Sequence, residues 1–260
     1  MRISNLDIEN IKAFLKEKDL FYILEKITTS EESMLYSDLD NYLIGQSAKK
    51  LPIWIWTKNN FNKEKLVELK KDLDSFLARG DNKITSKKEL YELLRSEYDL
   101  NDYFEMGFLS CNKANKPESK NGIFVRPNYS DLITLAEYWI GNEKEMDKME
   151  ISMNDAIEEA QSWIDSKTFY VLKDNTGKIV CMAGYSLLND IAKITHVYTP
   201  PEERKKGYCK YLIYSLTKKL LEENYKPMLY TDYNYEASNR AYKGVGFEDK
   251  GILINYKIKK

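Results

Sequence analysis

Apolar residues follow two rhythms along this chain, one of helical period and one of strand period. From Ile8 to Ile27 they recur at helical spacing (Ile8, Ile11, Phe14, Leu15, Leu20, Ile23, Leu24, Ile27) with an interruption at Lys18-Asp19, which predicts one or two helices. Leu51–Thr57 (LPIWIWT) is apolar on both faces of a strand, and Tyr103–Cys111 (YFEMGFLSC) is a second strand candidate. Between them Leu66–Leu77 and Lys87–Tyr98 read as amphipathic helices. The polar run Asn112–Asn121 (NKANKPESKN) has linker composition, so the pattern predicts an N-terminal α/β domain over 1–118 and a second domain over 119–260.

The second part opens with a strand at Ile123–Arg126 and a helix from Tyr129 or Ser130 to Ile140. A further helix, capped by Ser152 or Asn154, carries Ile157, Ala160, Trp163 and Ile164. Strands Phe169–Lys173 and Lys178–Leu188 flank Asp174-Asn175-Thr176-Gly177, which is hairpin turn chemistry. Ile194–Thr199 is β-branched and aromatic and stops at Pro200-Pro201, which cannot donate to a ladder. Leu212, Ile213, Leu216, Leu220 and Leu221 then share one face of a helix spanning Tyr208–Asn224. Met228–Asp232, Phe247–Asp249 and Ile252–Ile258 supply the last strands, giving a mixed α/β chain.

Composition narrows the function. At 260 residues, 43% apolar and 13% aromatic, the chain can bury one large or two ordinary cores. The formal net charge is −1 and both halves are balanced, so neither carries the excess that nucleic acid or an anionic membrane attracts. Cys111, Cys181 and Cys209 are odd in number and widely spaced, which argues against a disulfide framework or a zinc site. No metal is expected. The acidic N-terminus and the absence of any apolar run near the roughly 18 residues that cross a bilayer point to a cytoplasmic protein, monomer or homodimer.

The chemistry concentrates between the strand at Ile194–Thr199 and the helix that follows it. Arg204-Lys205-Lys206-Gly207-Tyr208-Cys209 places three cations and a glycine at the N-terminus of a helix, where unpaired N–H groups and the positive end of the dipole make an anion site. Gly207 admits close approach of a phosphate. The expected ligand is a nucleotide-like cofactor.

In this order the strand, the PEERKKG loop, the helix and the later segment Asn239-Arg-Ala-Tyr242-Lys-Gly-Val-Gly246-Phe247 resemble the GNAT family of acyl-CoA-dependent N-acyltransferases. The resemblance covers about residues 120–260 and implies the GNAT fold there, with acetyl-CoA as cosubstrate and an amine as acceptor. It implies pyrophosphate contacts from Arg204, Lys205, Lys206, Gly207, Tyr208 and Cys209, and contacts of Val197 and Thr199 with the pantetheine arm and thioester carbonyl. Tyr242 matches the family's general acid, a phenol protonated at neutral pH. Asn239, one helical turn before it, shares its face and faces the same cofactor.

Two positions depart from the pattern. Relatives commonly carry Asn where this chain has Tyr235, and Cys209 stands where Gly or Ala is usual. Asp232, ending the strand beside the pantetheine site, is the base candidate, although strand ends carry Asp for turn reasons alone. His196, the single histidine, falls by alternation on the face opposite Thr195 and Val197. The alternative to catalysis is a module that binds or senses acyl-CoA without turnover, favoured by Tyr235 and disfavoured by Tyr242. Residues 1–118 read either as a degenerate copy of the second half or as a distinct domain walling the acceptor site, and they show no repeat of the Arg204 loop.

Overall fold

A computed structural model describes residues 2–118, 122–146 and 150–259. The last residues of the expected linker, 119–121, lie outside them. The chain forms two compact units, one of Met1–Phe108 with Tyr230–Asn234 and Lys250–Lys260, the other of Leu109–Leu229 with Tyr235–Asp249.

The first unit begins with a 3₁₀ turn at Asn5–Asn10 and short helices α1 (Lys12–Leu15) and α2 (Tyr22–Thr28), so the helical rhythm breaks between Leu15 and Tyr22, around the interruption read at Lys18-Asp19. There follow β1 (Met34–Ser37), β2 (Tyr42–Gln46), β3 (Ile53–Thr57), α3 (Lys63–Leu77), β4 (Lys83–Ser86), α4 (Lys88–Leu94) and β5 (Leu100–Ser110). β1, β2 and β3 are antiparallel neighbours, and α3 carries the chain across to β4, which pairs parallel with β3. Alternation sorts the strand residues onto two cores. Tyr42, Ile44, Ile53 and Ile55 pack with Leu66, Leu69, Leu73 and Phe76 of α3, whereas Leu43, Trp54 and Trp56 pack with Phe14, Phe21 and Leu24. That two-sided burial is why β3 reads as a continuous apolar run.

The second unit contains β6 (Ile123–Val125), α5 (Leu132–Met146), α6 (Met153–Asp165), β7 (Phe169–Lys173), β8 (Ile179–Leu188), β9 (Ile191–Tyr198), α7 (Tyr208–Glu222), the start of β10 (Lys226–Asp232), whose end from Tyr230 belongs to the first unit, and α8 (Glu236–Val245), with β11 (Glu248–Ile258) closing the chain. The strand order is β10-β9-β8-β7-β6, antiparallel except for the parallel β9–β10 pair. Leu212, Ile213, Leu216 and Leu220 of α7 cover one face, and Leu135, Ala136, Ala156, Ala160 and Trp163 of α5 and α6 cover the other. Ser152 caps α6 by accepting from the Asp155 N–H. The polar stretch after β5 is tied into this unit, since the Asn115 N–H donates to the Val245 carbonyl at 2.7 Å.

Each unit thus runs three antiparallel strands, a crossover helix and a parallel strand: β1-β2-β3-α3-β4 in the first, β7-β8-β9-α7-β10 in the second. The chain's last strand completes the first unit, pairing antiparallel with β4 from Ile254/Ser86 to Lys257/Lys83. The two strands expected at Phe247–Asp249 and Ile252–Ile258 are therefore one, because the intervening Lys250-Gly251 is extended.

Candidate active site

After β9 the backbone turns through a 3₁₀ turn, Pro201–Glu203, whose buried Glu203 accepts from Lys178 (2.7 Å) and Lys206 (2.8 Å). Both ammonium groups hold the Glu203 carboxyl below its ordinary range. Arg204 donates its Nε to the Thr199 carbonyl (2.9 Å) and forks onto both carboxylate oxygens of Glu145 (2.7 and 2.6 Å), with its guanidinium 5.9 Å from the Tyr198 ring centre. Arg204 and Lys206 are thereby engaged in shaping the loop. Lys205 is exposed and makes no ion pair among the described residues.

Lys205 (φ 63°) and Gly207 (φ 82°) are both left-handed and bracket Lys206, the alternation of handedness from which concave N–H nests are built. Gly207 is the N-cap of α7, and no side chain caps this terminus. The first N–H groups of α7 thus keep no intrahelical partner at the positive end of a 15-residue helix. The equivalent terminus in the first unit differs: Asn62 caps α3 by accepting from the Lys65 N–H at 3.2 Å. That helix start is filled by its own side chain, and the one in the second unit has no side-chain cap.

Beside the loop, β9 pairs with β10 only from Ile191/Lys226 to Lys193/Met228, and Ile194–Tyr198 continue past that ladder. Along this stretch β9 bulges against β8, since the two steps from Met182 to Gly184 oppose the three from Tyr198 to Thr195. His196 sits in the bulge at φ 51°. The bulge resets the alternation: Val197 packs on the α7 side, while the His196 ring lies 5.0 Å from Trp163 and 6.4 Å from Phe169 on the α5–α6 side. Burial, aided by Lys193, lowers the imidazole pKa to about 4, so His196 is neutral at physiological pH.

Under the loop three reactive side chains meet. Cys181 of β8, fully buried, accepts from the Thr199 hydroxyl at 3.0 Å and belongs to the core cluster against which Cys209 of the first turn of α7 packs. Tyr242 of α8 is buried too, close enough that Cys209 and Cys181 add to the burial that pushes its phenol well above the ordinary value. It is therefore a proton donor at any physiological pH. α8 presents it rigidly because the helix ends in Gly246 at φ 107°, where a Cβ would come within 2.4 Å of the Lys113 carbonyl. Asn239, on the same helix, is half-buried.

Thr199, Cys209 and Tyr242, separated in sequence, are thus brought together, with Arg204 through Tyr208 directly above in the chain. Asp232 belongs to the first compact unit, where its Oδ1 accepts from the Asn234 N–H at 2.8 Å as a turn residue does. Sequence reasoning missed Glu145, Glu203 and Cys181. Two are acidic residues whose only signal was the charge of their partners, and Cys181 reads in sequence as one more apolar residue of β8.

Residues 134–247 match the model of the acetyltransferase (GNAT) family. No curated protein matches the chain at a significant level. Among solved structures, the chain is similar to a GCN5-related N-acetyltransferase from Sphaerobacter thermophilus, with a TM-score of 0.69 at 12% identity over 96% of this chain and 91% of that one. A GCN5-related N-acetyltransferase from Kribbella flavida gives 0.63 at 11% over 95% and 96%. A GNAT-family acetyltransferase from Colwellia psychrerythraea gives 0.57 at 10% over 100% and 99%. At such low identity these TM-scores show a shared fold alone, one that spans nearly the whole chain.

Proposed function

Since residues 134–247 carry a GNAT acetyltransferase domain, we propose that the second unit binds acetyl-CoA at the N-terminus of α7 and transfers the acetyl group to a primary amine by direct attack. The observation that carries this reading is the uncapped start of α7 behind left-handed Gly207. First-turn N–H groups, the helix dipole and Lys205 meet the pyrophosphate, while Arg204 and Lys206 hold the loop in shape for it. Backbone groups of β9 at Val197 and Thr199, past its ladder with β10, hold the pantetheine arm and polarise the thioester carbonyl. Tyr208 and Cys209 line the first turn, and Asn239 completes the contact from α8.

The amine attacks the thioester carbon, charge develops on the carbonyl oxygen, and collapse of the adduct expels the CoA thiolate. Tyr242, kept protonated by burial, gives that thiolate its proton. The proton that the amine loses passes to water.

Two variants test the two halves of this reading. Gly207→Glu places a carboxylate where the pyrophosphate lies and strains a left-handed position by about 1–2 kcal/mol. The variant should melt a few degrees lower and lose the rise in melting temperature that acetyl-CoA gives the parent protein. A full acetyl-CoA shift in this variant removes the loop from the site. Tyr242→Phe keeps the ring and removes the proton. Against a responsive amine from a mixed panel, kcat should fall at least roughly tenfold with Kd for acetyl-CoA within a few fold. Unchanged kcat with chemistry rate-limiting removes Tyr242 from the mechanism.

A further inference from the structure

We propose that Lys210 is a specificity-determining contact for the ribose 3′-phosphate of the cofactor, held beside the start of α7 by a seat that Gly244 of α8 leaves open. Lys210 is the third residue of α7 and half-buried, and among the described residues its ammonium makes no ion pair or hydrogen bond. The basic residues around it are engaged with acids: Arg204 with Glu145, Lys206 with Glu203, Arg240 with Glu236 and Lys243 with Asp249. The first turn of a helix is where a cation is least favoured, because it faces the positive end of the dipole. A half-buried ammonium there has given up water without gaining a counter-charge, and an anionic ligand would supply one.

The seat is a missing side chain. Gly244 lies inside the ten-residue α8, where glycine is the poorest helix former after proline. A Cβ at this position would stand 2.9 Å from the Lys210 Cε and 3.2 Å from its Nζ. α8 thus gives up helix propensity at the point where the end of the Lys210 chain rests. The ammonium is located by two helices instead of sweeping through solvent.

This position selects one of the cofactor's anions. The first N–H groups of α7 point along the axis beyond Gly207, toward the pyrophosphate, and Lys205 flanks them. Lys210 starts about 4.5 Å further along the axis, at 1.5 Å per residue. Its amine lies on the flank of the helix against α8, so it meets an anion beside the helix and not at its end. Coenzyme A carries such a group, since its ribose bears a 3′-phosphate a few bonds from the pyrophosphate. The contact rests on the reading of the α7 N-terminus as the acetyl-CoA site, and it names the feature by which that site tells CoA from its 3′-dephospho form.

The test measures, by calorimetry on the full chain, the affinities of acetyl-CoA and acetyl-3′-dephospho-CoA. The parent protein should prefer acetyl-CoA about fivefold, the scale of one partly screened charge pair. Lys210→Met keeps most of the apolar stem and removes the charge, so it should weaken acetyl-CoA to the level of the dephospho form and leave the dephospho form unchanged. Gly244→Ala pushes the amine off its seat and should shrink the preference too, while the melting temperature holds or rises because alanine is the better helix former. A purely structural Lys210 gives the opposite pattern, in which Lys210→Met lowers the melting temperature and leaves the preference intact, and that result overturns the proposal. Equal binding of both forms by the parent protein also overturns it and leaves the cofactor reading standing. Equal weakening of both forms by Lys210→Met overturns it as well, by moving Lys210 to the pyrophosphate. If neither form binds the parent protein, the cofactor reading itself fails and the 3′-phosphate contact fails with it.

Discussion

His196 shows how one extra backbone residue rewrites the role of a side chain. Strict alternation places it opposite Val197, and it does lie on the other face, but because β9 inserts a residue there rather than because the pleat runs through unbroken. Sequence offered no sign of the bulge, since bulges depend on the partner strand's spacing as much as on local residues. Its consequence is a titration that can be read directly. The unfolded chain takes up a proton near the ordinary pKa of 6.5, whereas the folded chain refuses it until about pH 4. The folded value is depressed, so stability is fully present above pH 6.5 and declines as pH falls toward 4. With one histidine in the chain, a single imidazole C–H resonance reports the folded pKa. It should titrate near 4, and His196→Gln should flatten the melting-temperature profile of the parent between those two pH values. A resonance titrating near 6.5 would show the ring to be solvated.

At the scale of elements, most of what builds the site was legible. The Pro200-Pro201 stop, the amphipathic run of α7 and the Asp174-Gly177 hairpin each follow from local chemistry, and α7 ends at Glu222, within two residues of the expected Asn224. The strands that went unread, β1, β2 and β4, are four or five residues long, and β2 contains Gly45 against Leu24 and Ile27, so neither length nor propensity marked them. The roles of the three basic residues were equally hidden, because Glu145 lies 59 residues from Arg204. This division of labour is testable by contrast. Arg204→Ala removes a forked carboxylate pair and a bond to the Thr199 carbonyl, so it should lower the melting temperature of the unliganded protein by a few degrees, corresponding to about 1 kcal/mol. Lys205→Ala should leave that melting temperature unchanged and weaken acetyl-CoA about two- to fivefold, an effect that fades as salt rises. If instead Lys205→Ala destabilises the fold and Arg204→Ala only weakens the cofactor, the two assignments exchange.

For the whole molecule, the periodicity of residues 1–118 could not decide between a degenerate copy and an unrelated domain. The structure repeats the same element order in both units, and the asymmetry lies in the loop before the crossover helix, where Asn62 caps α3 and Gly207 leaves α7 open. The sequence reading places a division at 118/119, on the composition of Asn112–Asn121 alone. Composition cannot see that Leu109 and Cys111 belong to the core of the second unit, that the Cys111 N–H donates to the Pro227 carbonyl at 3.0 Å, or that the last eleven residues, Lys250–Lys260, belong to the first unit beside β4. A fragment of 119–260 would therefore lose two core residues of one unit and expose Leu253, Ile254 and Tyr256, which are buried in the other. Burying a large apolar side chain is worth about 1.5–3 kcal/mol, and five such positions together rival the 5–15 kcal/mol by which a whole domain is stable. Expressed alone, the fragment should show no cooperative melt by circular dichroism and should bind no acetyl-CoA, although every proposed phosphate contact lies within it. Mixing it with a separately prepared 1–118 fragment should restore both a single melting transition and the acetyl-CoA shift, because the last strand regains β4 and the second unit regains Leu109 and Cys111. A cooperative melt and cofactor binding by 119–260 alone would show instead that the second half folds independently and that β11 can be satisfied without the first unit.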